Sequence, residues 1–239
     1  MTLQGKRILV LGGTSGIGLG VAQAACAEGA DIIVVSRQQR RVDAAIARLG
    51  GRTEGYAADL SDEKSVEKLF SNMMPFDHLV FTSGDAILQR PIGDTALADA
   101  QDFFGLRFWG AFVAVKHCVK LIQRSGSIVL TSSTMPRRPA CGFAIGASIS
   151  GAVEALARAL AVELAPVRVN VVAPGIVRTP LWDRLPFRER EAFFAARGAF
   201  IPVGKVGEPS EIAEAYLFLM RGTFTTGQTV VVDGGMLLV

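Results

Sequence analysis

Two groups of residues in this chain have the types and spacing to hold a nucleotide. The first is Gly12, Gly16 and Gly18, spaced G-x-x-x-G-x-G, with Thr14, Ser15 and Ile17 between them. They follow the apolar run Arg7-Ile8-Leu9-Val10-Leu11 and precede Leu19-Gly20-Val21-Ala22-Gln23-Ala24-Ala25. A buried strand, a glycine turn and a helix start make a pyrophosphate cradle. The glycines let backbone amides approach the phosphates, and the helix N-terminus adds partial positive charge. The second group is Ser36-Arg37, at the end of the next apolar run. A site selective for NAD places a carboxylate here for the ribose 2′-hydroxyl. Arg37 instead offers a guanidinium to a 2′-phosphate, with Ser36, Thr14 and Ser15 as hydroxyl donors and Arg40 or Arg41 nearby. The expected cofactor is NADP. The plainer alternative is an arginine merely exposed at a strand end.

These groups need elements to position them. Strand-like runs fall at 7–11, 31–36, 53–58, 77–82, 127–132, 167–173 and 229–232. Helical patterns fall between them at 16–28, 38–49, 62–72, 97–122, 150–164 and 209–220. Alternation of this kind predicts an α/β fold, a doubly wound parallel sheet with helices on both faces and right-handed crossovers. Ligands of such sheets bind beyond the carboxyl ends of the strands, where the strand order reverses. Residues 181–203 break the rhythm, being aromatic and charged with Trp182, Phe187, Phe193, Phe194 and Phe200. They read either as a lid over a pocket or as an ordinary helical pair packed on the body.

The chain has 239 residues, 50% of them apolar, which suits one domain over 1–239 with one substantial core. Net charge is +3, and the basic residues form local clusters (Arg37, Arg40, Arg41; Arg137, Arg138; Arg184, Arg188, Arg190) rather than a tract. That pattern favours small anionic ligands over nucleic acid, with solvated helix faces as the alternative for the third cluster. Cys26, Cys118 and Cys141 lie far apart without metal-ligand spacing, so no metal is expected. An odd cysteine count without a secretory leader points to a reducing, cytoplasmic setting. No uninterrupted apolar run approaches a membrane span, so no membrane partner is expected.

Several blocks together resemble the short-chain dehydrogenase/reductase family, and the resemblance covers nearly the whole chain. Gly12-x-x-x-Gly16-x-Gly18 is similar to its cofactor loop, although Leu11 stands where the family has Thr. Asp59-Leu60 resembles the pair that contacts adenine, and Pro174-Gly175-Ile176-Val177-Arg178-Thr179 resembles the segment that holds the nicotinamide amide. Residues 202–209 and 226–235 resemble two C-terminal signatures. The resemblance implies a Rossmann-type seven-stranded sheet, a nicotinamide cofactor, a small-molecule substrate and a homodimer or homotetramer.

The same comparison shows where the pattern breaks. Ser133 stands where the family has its catalytic Ser, at the end of the fifth strand. The family's proton-donating Tyr and the Lys that lowers its pKa are absent. One register puts their positions on Gly146 and Ser150, another on Ile145 and Ile149. The family's Asn-Asn-Ala-Gly reads Phe81-Thr82-Ser83-Gly84, and the Asn of its proton relay aligns with Arg107. Arg107 is read either as a replacement positive charge or as a partner of Asp102 or Asp85. Asp85, His117 and Cys141 are further replacement candidates, each with a structural alternative.

A phenol near its ordinary pKa of about 10 needs a neighbouring cation to work at neutral pH. Without that pair, hydride delivery suits an iminium, a quinone or an activated alkene better than a plain ketone. The expectation is an atypical NADP-dependent oxidoreductase. A silent dinucleotide-binding or regulatory protein and a non-redox cyclase or lyase stand as alternatives.

Overall fold

In the computed structural model, residues 2–84 and 88–239 are described. The elements are β1 (Arg7–Leu11), α1 (Gly16–Ala27), β2 (Asp31–Ser36), α2 (Gln39–Leu49), β3 (Thr53–Ala57), α3 (Glu63–Ser71) and β4 (Phe76–Phe81). There follow α4 (Leu97–Phe104), α5 (Ala111–Cys118), β5 (Ile122–Thr131), α6 (Ala144–Glu163), β6 (Arg168–Pro174), α7 (Phe187–Gly198), α8 (Pro209–Arg221) and β7 (Thr229–Val232). The strands form one parallel sheet in the order β3-β2-β1-β4-β5-β6-β7. Strand order reverses between β1 and β4, which opens a crevice beyond their carboxyl ends.

Period-two alternation sorts the strand residues into two cores. Leu9, Leu11, Ile33, Val35, Leu79, Phe81, Ile128 and Leu130 face a layer built with α3, α5 and α6. Ile8, Val10, Ile32, Val34, Val80, Val129 and Val172 face the layer of α1, α2 and α8. Both faces are covered, which is why these strands read as continuous apolar runs. Each such side chain contributes about 1.5–3 kcal/mol on leaving water.

Several boundaries differ from the sequence reading, among them the start of β5 at Ile122 rather than 127. The helix expected over 97–122 divides into α4, a π-helical turn at Gly105–Gly110, and α5. At Gly110 the backbone passes so close to the Leu60 carbonyl that a Cβ would lie 2.7 Å from that oxygen. Residues 121–122 leave the helix because they pair beside β4. The helix expected from 150 begins six residues earlier, at Ala144. Its small residues do not break it, since one face packs on the sheet. That helix, α6, is long and apolar enough by length and composition to cross a membrane. Here its Ile149, Val153 and Ala157 are buried in the core.

Candidate active site

A single cavity of about 1090 Å³ opens where the carboxyl ends of β1, β2, β4, β5 and β6 converge. Ser133, Gly12, Thr14, Ser15, Gly16, Ile17, Gly18, Ser36, Arg37, Leu60, Ser83, Gly84, Pro174, Gly175, Ile176 and Thr179 all line it. Asp59 does not. Its carboxylate turns to Ser61, accepting from the backbone N–H at 3.0 Å and from Oγ at 2.6 Å. Those two bonds, with the Arg37 charge nearby, hold its pKa below the usual value against partial desolvation.

The glycine loop is shaped by contact. A Cβ on Gly18 would lie 2.3 Å from the Gly12 carbonyl oxygen and 2.4 Å from Thr82 Oγ1. Gly12 and Gly16 take φ of 89° and 52°, which side-chain-bearing residues avoid. The loop therefore folds flat on the start of α1. Ser15 is the N-cap of that helix, yet its hydroxyl makes no capping bond, so a donor remains beside the first amides. The pyrophosphate-and-ribose end fits a dinucleotide, with Arg37 and Arg41 both at the β2 side of the cavity.

The opposite end is organised around Ser133. Its Oγ lies 2.8 Å from Ser150 Oγ and accepts the Met135 backbone N–H at 3.2 Å. Gly146 and Ser150 both face the cavity from α6, one turn apart. The Met135 sulfur rests on Gly146, where a Cβ would lie 2.9 Å from it. A thioether thus fills the space beside the serine pair. Ile145, from the other register, packs on the core instead.

Beside the serines lies an ionic clasp whose carboxylate is buried and whose guanidinium is partly exposed. Glu154 accepts from Ser132 Oγ at 2.8 Å and from both terminal nitrogens of Arg137, at 2.8 and 2.9 Å. The β5–α6 loop is thereby tied to α6 on both sides of Ser133. Arg137 is committed to this structural role, whereas Arg138 lines the cavity.

The enoyl-(acyl carrier protein) reductase family model matches residues 12–237. A short-chain dehydrogenase/reductase of Stachybotrys chlorohalonatus, ATR9, is 37% identical over 99% of both chains. The chain belongs to the short-chain dehydrogenase/reductase family. Among solved members, a small-chain dehydrogenase in complex with NADPH is 34% identical, with a TM-score of 0.84 over 99% of this chain and 100% of that one. The reductase/Diels-Alderase MalC of Malbranchea aurantiaca is 30% identical, with a TM-score of 0.91 over 99% and 98%.

Against the short-chain dehydrogenase/reductase pattern, the other replacement candidates separate. Arg107 sits on the π-helical turn, its guanidinium stacked 4.9 Å over the Phe103 ring and pressed against the Gly84 backbone. Asp85 lies outside the described residues. His117 is held by Glu63 at 3.3 Å, far from the serines in the fold. Cys141 is exposed and does not line the cavity. Cys118 is core filler, and burial pushes its thiol pKa up to about 12. Neither tyrosine can serve. Tyr56 is on the edge strand β3, and Tyr216 is fully buried with its hydroxyl 2.7 Å from Thr131 Oγ1. Burial pushes the Tyr216 pKa above its ordinary value.

Sequence reasoning singled out Trp182, Phe193 and Phe200 as lid or packing residues but missed Met135, Phe143 and Met236. Met135, Phe143, Trp182, Phe193, Phe200 and Met236 all face the cavity. Trp182 Nε1 donates to the Val177 carbonyl at 3.0 Å and its ring stacks on Phe193, 4.6 Å between centroids. Arg178 stacks on Phe194 and pairs with Glu191 and Glu208. The aromatic count of 181–203 was the available signal for α7. Met135 carried none, because its role depends on a glycine one helix away.

Proposed function

We propose that the chain binds NADPH across the glycine loop and reduces an electrophile that is already charged or conjugated, an iminium, quinone or activated alkene. Bound NADPH supplies the hydride. The observation that carries this reading is the Met135 thioether against Gly146, beside a serine at position 150. Neither a thioether nor a glycine donates a proton. Ser133 Oγ accepts the Met135 N–H and shares one hydrogen bond with Ser150 Oγ; with Ser150 as the donor of that pair, Ser133 keeps its own proton for the substrate's acceptor atom. Such a bond steadies developing charge but does not replace an acid with a matched pKa. Reaction with a plain ketone therefore stays slow. Gly12, Thr14, Ser15, Gly16, Ile17 and Gly18 hold the pyrophosphate, and Ser36 and Arg37 the 2′-phosphate. Leu60, Ser83 and Gly84 flank the adenosine side. Pro174, Gly175, Ile176 and Thr179 border the nicotinamide.

A second reading is cyclisation without net redox change in the same aromatic chamber. It is supported by the relative described as a reductase/Diels-Alderase and by the apolar walls around Ser133. The two are separated by titrating NADPH and NADH, then following nicotinamide absorbance with iminium, quinone and ketone acceptors. Consumption of NADPH with the first two supports reduction. Product without consumption supports cyclisation. Plain ketones reduced as fast as the other acceptors would overturn the restricted-substrate reading, and binding without any turnover would leave a regulatory protein.

The reading includes residues 181–203 as a lid that completes the chamber. It also includes a homodimer or homotetramer, supported by the exposed, edge-stacked rings of Trp109 and Phe112. A cytoplasmic setting accords with the three free thiols.

A further inference from the structure

We propose that the substrate carries an acidic group on an apolar, aromatic body, and that Arg138 and Arg197 read that group. This names the substrate class of the chamber assigned above and rests on that assignment. At the Ser133 end the cavity is bordered by Arg107, Arg138, Arg184 and Arg197, and no Asp or Glu side chain among the described residues lines it. The contrast with Arg137, one position away, is informative. Arg137 is neutralised by Glu154 through two hydrogen bonds. Arg138 donates to the neutral Met236 carbonyl at 2.6 Å, and Arg197 stacks on the neutral Phe193 ring at 5.5 Å. Neither forms an ion pair with a described carboxylate, so both bring net positive charge to the cavity. The lining also holds Val239 with its terminal carboxylate, which no described ion pair joins to either arginine, so two exposed guanidinium groups leave this rim net positive and attractive to anions. The same lining includes Met135, Phe143, Trp182, Phe193 and Phe200. A ligand that satisfies both features is amphipathic, its rings against the aromatic wall and its anion on a planar guanidinium fork.

The test uses 3-(indol-3-yl)propionate and its carboxamide, titrated by calorimetry into the NADPH-loaded protein at low salt. The acid is expected to bind about tenfold more tightly or better, an advantage that shrinks as salt rises. In Arg138→Gln/Arg197→Gln the two ligands should bind about equally. In Arg138→Lys/Arg197→Lys, which keeps both charges, most of the preference should return. Equal affinities in the unaltered protein, absence of binding by either ligand in the millimolar range, or a preference that survives the double Gln variant would each overturn the proposal. NADPH affinity is read separately. If NADPH does not bind, the reductase reading fails, while the acid–amide comparison on the protein alone still decides the charge proposal.

Discussion

The sulfur of Met135 lies against the backbone of Gly146, near enough that a Cβ at that position would sit 2.9 Å away. Two residues that look unremarkable in sequence thus close the space beside Ser133. Reopening that space and restoring a phenol and an ammonium should restore what they do. Met135→Ala/Gly146→Tyr/Ser150→Lys is expected to raise plain-ketone reduction by roughly a hundredfold, the usual worth of a positioned general acid. Gly146→Tyr alone should not, because the sulfur occupies the site and no cation lowers the phenol pKa. Steady-state rates with one ketone across the series check this.

Ser133 is held as an acceptor by the Met135 N–H and paired with Ser150. Ser133→Ala should lower kcat on an iminium or quinone by roughly a hundredfold, with little change in NADPH affinity. Ser150→Ala should cost less, since it removes a positioning bond worth about 1 kcal/mol. Equal losses for the two would contradict the assigned roles.

Arg37 borders the cavity at the tip of β2 with Ser36. Arg37→Asp should weaken NADPH by roughly thirtyfold to a hundredfold, as loss of a charge-assisted phosphate contact and gain of a repelling charge predict. NADH should weaken little or improve. Equal loss for both nucleotides, measured by fluorescence titration, would refute the 2′-phosphate role.

Glu154 is nearly buried and satisfies Arg137 and Ser132 together. Removing the carboxylate strands the guanidinium, but Arg137 is about one-third exposed (35%), so water recovers part of the loss. Glu154→Leu should destabilise by about 1–3 kcal/mol, and Glu154→Leu/Arg137→Met by less. Urea melts of the four species close this cycle.

His78 is buried on β4 with Nδ1 2.9 Å from Ser127 Oγ. Burial pulls its pKa from 6.5 down to about 4, with Arg168 and Lys6 assisting and Asp77 opposing. The imidazole is neutral in the folded chain but takes a proton in the unfolded chain once pH falls below 6.5. Unfolding therefore gains protons, and stability drops as pH falls from 6.5 towards 4. The loss should approach about 3 kcal/mol at the low end of that window. His78→Gln should be less stable at neutral pH and should lack this slope in denaturant melts. Asp59 and Asp77, both held below 3.8, lose their contributions only at lower pH and do not confuse the window.

The sheet was legible in the sequence because strands buried on both faces leave unbroken apolar runs, and β1, β2 and β7 begin and end where those runs do. The glycine loop was legible for a similar local reason. Its function depends on positive φ and on close approach within a few residues, so Gly12, Gly16 and Gly18 are written in order along the chain. Ser133 and Arg37 were legible as ends of strands. The break at Gly105–Gly110 was hidden, because the close approach of Gly110 to the Leu60 carbonyl involves a connection some fifty residues away in the chain. So was the difference between Arg137 and Arg138, which are adjacent in sequence and opposite in role. One meets Glu154 on α6 and the other turns to the cavity. Sequence alone determined the architecture and the shape of the glycine turn, whose causes are periodicity and local backbone freedom. Only the tertiary structure decided what stands beside Ser133 and that Arg137 meets a carboxylate while Arg138 meets a carbonyl, because both depend on side chains brought together from elements far apart along the chain.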